Sequence, residues 1–199
     1  HNRVILPQLG APGVCAHEVK KLTGFLVEYG PVRAEDLPEY LKTRNASPEM
    51  RRVRFTLGDR LALVPVELMG VILPMLIVSG AVFFLLGWQS GVITLAAVLV
   101  GVVLFPILLP WLPTRDFSTK GFILGGVFGI VVILLTSLSS GASTAAKFME
   151  GLSHLLIWPA LIAFIALNFT GSTPYPSRSG VRREIYSYVR PMAIMFVAG

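Results

Sequence analysis

The sequence predicts a short α/β segment, the end of a Rossmann-like domain, followed by an α-helical transmembrane bundle of about five spans, the last truncated. Three observations predict it. The block from about Leu61 to Phe169 is apolar and almost free of charge. Within it, runs such as Val66–Leu86 and Gly91–Leu112 reach the roughly 20 apolar residues that a helix needs to cross a hydrocarbon core of about 30 Å. Before Leu61, short strand-like and helix-like patterns alternate, as in an α/β domain with a parallel sheet.

Composition supports the same division. Of 199 residues, 54% are hydrophobic and 14% charged, against about 25% charged in ordinary soluble domains. The net charge of +6 is not a nucleic-acid signal, because 11 of the 17 Lys and Arg lie between Arg51 and Arg190 and nearly all of those flank spans. The expected partner of that charge is membrane lipid. A single cysteine excludes an internal disulfide and a cysteine-based zinc site. His1 runs straight into a strand pattern and the chain stops inside an apolar run, so the expectation is a fragment truncated at both ends.

The first domain is expected at 1–44. Val4–Leu9 reads as a buried strand closed by Gly10-Ala11-Pro12-Gly13. Val14–Leu22 has helical spacing and stops at Gly24. Phe25–Tyr29 is the second strand, closed by Gly30-Pro31. Ala34–Leu41 is the second helix, with Glu35 and Asp36 in its first turn, where they suit the helix dipole. Ligands of such sheets bind at the carboxyl ends of the strands, which here are the Gly10–Gly13 and Gly30–Arg33 loops. The loop glycines have two readings, turn geometry or close backbone approach to a bulky cofactor. Neither loop has the full G-x-G-x-x-G spacing, so a dinucleotide is unsupported. Arg33 reads either as a contact for phosphate or carboxylate or as a solvated surface arginine. Cys15 opens a helix, where a thiol pKa can fall, but a lone cysteine beside an apolar face reads first as a small core residue. His17 is an ordinary helix residue, and no metal site is expected.

Residues 45–60 read as a basic linker, with a turn at Asn45-Ala46-Ser47-Pro48 and Arg51, Arg52, Arg54 and Arg60 before the first span. The membrane domain, 61–199, is expected to place spans at 68–86, 92–112, 121–138, 152–169 and, truncated, 191–199. Arg51, Arg52, Arg54, Arg60, Arg115, Lys120, Arg178, Arg182, Arg183 and Arg190 fall on one side, and Lys147 alone on the other. By the positive-inside rule the first domain and the 170–190 tail are cytoplasmic, in a multi-pass protein of the cytoplasmic membrane. Trp88, Trp111 and Trp158 read as interfacial anchors. Gly121, Gly125 and Gly129 form a face of small residues that lets helices approach closely. Glu67 and His154 are intramembrane candidates, but each falls near a span edge, on opposite sides, and reads as solvated. The tail, turn-rich through Gly171, Pro174, Pro176 and Gly180, leads into a short helix at about Val181–Tyr188.

Several stretches resemble one known family. Val4-Ile-Leu-Pro-Gln-Leu-Gly-Ala-Pro-Gly-Val14, Ala16-His-Glu-Val-Lys20, Tyr29-Gly-Pro-Val-Arg33 and Asp36-Leu-Pro38 resemble the corrinoid-binding domain of the HgcA family, the membrane-bound corrinoid proteins of mercury methylation. That domain is similar to the corrinoid iron–sulfur protein of the acetyl-CoA pathway. Thr43–Phe55 with Pro48-Glu-Met-Arg-Arg52, Asn168-Phe-Thr-Gly-Ser172 and Ser179-Gly-Val-Arg-Arg-Glu184 extend the likeness over nearly the whole chain. The resemblance implies a corrinoid-dependent methyltransferase that passes a methyl group from a cobamide to Hg(II). It also implies a methylated-folate-linked methyl donor and a ferredoxin-like 4Fe–4S protein as electron donor. The cofactor would face Gln8, Leu9, Gly10, Ala11, Pro12, Gly13 and Val14, with Gly30, Pro31, Val32 and Arg33 near corrin side chains or the nucleotide tail. The chain departs from the family in lacking the Asn-x-Trp-Cys-Ala-Ala-Gly-Lys helix whose thiolate is the lower cobalt ligand. Cys15, in a different context, does not take that role, so this stretch carries no catalytic residue and is not expected to act alone. Two other readings stand beside it: a corrinoid protein of one-carbon metabolism with another methyl acceptor, and a permease with a cytoplasmic ligand domain.

Overall fold

A computed structural model describes residues 2–139, 143–171 and 178–199. The chain forms two compact units, His1–Arg54 and Phe55–Gly199. The parts of the expected 139–151 connection and of the 170–190 tail at 140–142 and 172–177, with Ser172, Pro174 and Pro176, lie outside the described residues.

The first unit holds two parallel strands, β1 (Arg3–Leu6) and β2 (Leu26–Tyr29), paired in the register Arg3 to Leu26 through Leu6 to Tyr29. Helix α1 (Ala16–Thr23) connects them and α2 (Leu37–Thr43) follows. Strand β1 ends earlier than its apolar run suggests. Pro7 has no N–H to offer a ladder, and Gln8–Gly10 coil into a single 3₁₀ turn. Gly24 closes α1 at φ +78°, a left-handed cap that glycine adopts without penalty. The second helix starts late because Ala34–Asp36 forms a 3₁₀ turn and Pro38 sits in the first turn of α2, where its missing donor costs nothing. The observed architecture is thus a two-stranded parallel sheet with two short helices, inside a chain that is mostly helical.

The expected linker is folded. Ala46 and Met50 are buried with Tyr40 in one small core against Ile5. The Val32 amide donates to the Met50 carbonyl at 2.9 Å, fixing residues 46–54 to the strand-end loop.

In the second unit, Thr56 and Asp59 form a capping box that starts α3 (Leu57–Leu86) within the expected linker. Then come α4 (Trp88–Leu108), α5 (Phe117–Ser139), α6 (Thr144–Asn168) and α7 (Arg178–Ala198). Helices α3, α4, α5 and α6 are long and apolar enough to cross a membrane. They mark the chain as a membrane protein. Large apolar side chains stand exposed along α3, among them Leu73, Leu76, Ile77 and Phe84. Water would penalise such a surface and lipid does not.

The expected loop at 87–91 shrinks to one residue. Gly87, at φ +94°, turns the chain from α3 directly into α4. Helix α4 widens to a π-turn at Val100–Leu104, just ahead of Pro106, which has no N–H for an ordinary helical bond. Helices α5 and α6 run antiparallel at very short range. A Cβ on Gly121 would lie 2.5 Å from Ala163 Cα, on Gly125 2.6 Å from Pro159 Cα, and on Gly129 3.0 Å from the His154 carbonyl oxygen. This closeness matters because lipid offers no hydrophobic drive for helices to associate. The seam leads into a core of Phe105, Phe117, Leu124, Trp158, Ile162 and Phe169.

Two expectations fail here. Trp158 is not an interfacial anchor. It lies in the middle of α6, 8% exposed, edge-on to Phe128. The short helix and the fifth span are one continuous helix, α7, which passes through Pro191. It carries Arg182, Arg183, Glu184 and Arg190, so α7 is not among the helices apolar enough to cross a membrane. Its second half packs on α6 through Met192, against Ala160 and Ala163.

Candidate functional site

The parallel pairing brings the two expected site loops to the same sheet end. The Gly30 amide donates to the Leu6 carbonyl at 2.8 Å, so both strands stop side by side. The Tyr29 hydroxyl donates to the Val14 carbonyl at 2.5 Å and ties the far end of the first loop to the second strand. In the sequence Tyr29 reads as a strand residue and as the head of the Tyr29–Arg33 stretch that carries the resemblance, with no anchoring role. Its anchoring role follows from a parallel register that spacing does not reveal.

The loops differ in what they can offer. Leu9, Ala11, Pro12 and Gly13 are exposed, and Gln8, Gly10 and Val14 are half-buried. Gly30 and Pro31 are buried. A Cβ on Gly30 would meet Ile5 Cγ2 at 2.9 Å, so packing alone explains that glycine. Gly10 and Gly13 need no such explanation. Positive φ among the described glycines occurs at Gly24 and Gly87. A Cβ would sit 4.0 Å from Pro7 at Gly10 and 3.6 Å from the Gly10 oxygen at Gly13, ordinary contact distances. Turn geometry therefore does not account for the two glycines of the open loop. Beside them the Gln8 Oε1 is buried and has no hydrogen-bond partner among the described residues. A buried, unpaired amide oxygen costs about 1–3 kcal/mol.

Arg33 is not a free surface arginine. Its guanidinium pairs with Glu35 Oε1 at 3.1 Å and donates to the Arg54 carbonyl at 3.3 Å. It lines a polar cavity of about 230 Å³ with Asp36, Glu39, Glu49, Arg52 and Arg54. Cys15 is not a core residue either. It is exposed and is the N-cap of α1, without a side-chain capping bond. His17 is exposed on α1.

An electrostatic brace lies behind the strands. The Tyr40 hydroxyl donates to Glu28 Oε1. Arg3 and Arg44 stand 3.6 and 3.9 Å from the other oxygen. The Tyr40 hydrogen bond, and then the charges of Arg44 and Arg3, hold the Glu28 carboxyl below its ordinary value against the opposing effect of burial. The same bond, with burial, pushes the Tyr40 phenol above its ordinary value.

In the membrane unit, His154 Nε2 stands 3.8 Å from the Glu150 carboxylate one turn earlier, and its Nδ1 accepts a hydrogen bond from the Trp158 indole at 3.0 Å. Among the described residues no group of three or more His, Cys, Asp or Glu converges as a metal site. No family model, curated protein or solved structure matches the chain.

Proposed function

We propose that the Gln8–Val14 loop is part of the wall of a corrinoid site, and that the chain belongs to a membrane-bound, corrinoid-dependent methyltransferase whose methyl acceptor is Hg(II). The observation that carries this reading is the pair Gly10 and Gly13. Both lie at the carboxyl end of parallel strands, in ordinary backbone conformations with room for a Cβ. Their bareness suits a broad, flat ligand that approaches the main chain. Gln8 Oε1, buried and without a partner among the described residues, is the acceptor this reading offers to an amide donor on the rim of such a ligand. The residues present fit one edge of a cobamide. Such a group would supply the methyl-transfer chemistry, with these residues holding one of its edges.

The residues of this chain bind and orient. Tyr29 and the Gly30 amide hold the two loops in register. Gly30, Pro31 and Val32 form the fixed side, braced by Arg33 and the 46–54 segment. This reading gives Cys15 no role as a cobalt ligand. The reading also places the first unit at the cytoplasmic face, with a ferredoxin-like 4Fe–4S protein and a methylated-folate-linked donor as partners. The ends of the bundle are consistent with this. Arg60 donates to the Ile107 carbonyl, Lys120 to the Leu109 carbonyl, and Glu184 accepts from the start of α5. Arg60, Lys120 and the first half of α7 thus share one end, while Lys147 opens α6 at the other.

The test is methylmercury production by cells that carry this locus, against cells with the locus deleted and cells with Gly13→Val. Loss in both is expected. An unchanged yield after deletion overturns the mercury reading.

A further inference from the structure

The basic end of the membrane unit holds a cavity. It measures about 460 Å³ and opens among the start of α3, the end of α4 and the start of α5. Arg60, Arg115 and Lys120 line it, with Phe55, Leu109, Pro110 and Phe117 as apolar walls and Thr114 as a further polar group. Among the described residues no carboxylate lines it. The nearby acids are hydrogen-bonded elsewhere, although the Glu184 charge also acts on Lys120. Asp59 caps α3, Asp116 accepts from the Tyr188 hydroxyl at 3.1 Å, and Glu184 accepts from Phe117 N, Ser118 N and Ser118 Oγ at 3.0–3.2 Å.

The cations are set by the fold. Arg60 is only 7% exposed. Its Nε and Nη1 donate to the Thr56 and Ile107 carbonyls, and its guanidinium lies 5.8 Å from the centre of the Trp111 ring. A guanidinium has five N–H donors, so these bonds fix the group and leave donors for a ligand. Lys120 Nζ gives one bond, to the Leu109 carbonyl at 2.9 Å, out of three donors. Arg115 is exposed at the mouth. A positioned arginine, a lysine and an exposed second arginine around an apolar floor suit a phosphate joined to a greasy body. Basic pockets between membrane helices hold anionic headgroups for this reason.

We propose that this cavity binds a phosphate-bearing anion, and that Arg60, Arg115 and Lys120 are its cationic contacts. The site is independent of the corrinoid reading and rests only on the bundle. The phosphate can belong to a lipid or to a soluble molecule, and the experiment separates the two. The 199-residue chain in detergent micelles is titrated with phosphatidylglycerol, phosphatidylcholine or inorganic phosphate. Retained lipid is read by native mass spectrometry and phosphate binding by thermal shift. Arg115→Gln and Lys120→Gln are compared with Arg182→Gln, a cation outside the cavity. Each cavity cation is expected to be worth about fivefold in affinity. Selective retention of phosphatidylglycerol, weakened about fivefold by either cavity variant and unchanged by Arg182→Gln, supports a lipid ligand. A shift with inorganic phosphate alone, lost in the same two variants, supports a soluble one. Equal retention of both lipids with no phosphate shift overturns the proposal, as does an equal effect of Arg182→Gln.

Discussion

The α5 seam and the first strand-end loop are both rich in glycine, for opposite reasons. On α5, Gly121, Gly125 and Gly129 have no room for a Cβ, because the α6 backbone passes 2.5–3.0 Å from where it would be. In the loop, Gly10 and Gly13 have room and ordinary torsions. One set is fixed by the chain's own packing. The other is not required by packing within the described residues, and the proposed ligand rests on this set. Glycine content alone does not separate the two; the space around each position does.

The seam gives the severest test. Gly121→Leu drives a side chain into Ala163 and is expected to lower stability by about 3 kcal/mol, read as a fall in the melting temperature of the detergent-solubilised chain. A melting point within a degree of the parent would mean that the helices are not so close. The start of α5 depends on the same compactness. Ser118 is fully buried and its amide and hydroxyl both donate to Glu184. Glu184→Ala strands those donors and should cost about 2 kcal/mol, with Glu184→Gln losing about half as much.

The Glu28–Tyr40 brace tests the other unit through pH. The Glu28 carboxyl titrates lower in the folded chain than in the unfolded one, so its contribution is complete above the ordinary carboxylate pKa and disappears as pH falls through the folded value. The Tyr40 phenol is shifted upward, so its contribution is complete below the ordinary phenol pKa and is lost as pH rises through the folded value. Tyr40→Phe is expected to cost about 1.5 kcal/mol at neutral pH and to flatten both limbs. Stability curves against pH, followed by circular dichroism, would show it. An acid limb identical in parent and variant removes the brace from the account.

The loop glycines should move stability least. Gly10→Ala and Gly13→Ala are expected to leave it unchanged or raise it by about 0.4–1 kcal/mol, since alanine restricts the unfolded chain and fits the native torsions. The larger Gly13→Val is the variant expected to abolish methyl transfer. A marked destabilisation by either alanine would return these glycines to a role in the turn.

Much of this architecture is written in local pattern. The strand, loop and helix order before Tyr40 follows from short apolar runs cut by Gly and Pro, and the seam follows from a four-residue glycine spacing. What escaped depends on distant partners. Arg60 counts in the sequence as one more positive charge beside a span, yet it reaches the Ile107 carbonyl and is buried. Glu184 looks like one acid in a basic tail, and it caps another helix. Pro191 reads as a boundary, but a proline removes only one helical bond, and α7 continues through it alongside α6. Residues 46–54 read as a linker because their apolar content is slight, and the burial of Ala46 and Met50 shows only in three dimensions.

The one-residue turn at Gly87 has a consequence for biogenesis. Helix α3 of 30 residues and the 21-residue α4 are joined with no chain left over for a loop. The tip they share, Phe84, Leu85, Leu86 and Trp88, is exposed and uncharged. With no slack between them, the two helices would meet a bilayer as one hairpin, its uncharged tip leading no polar loop across.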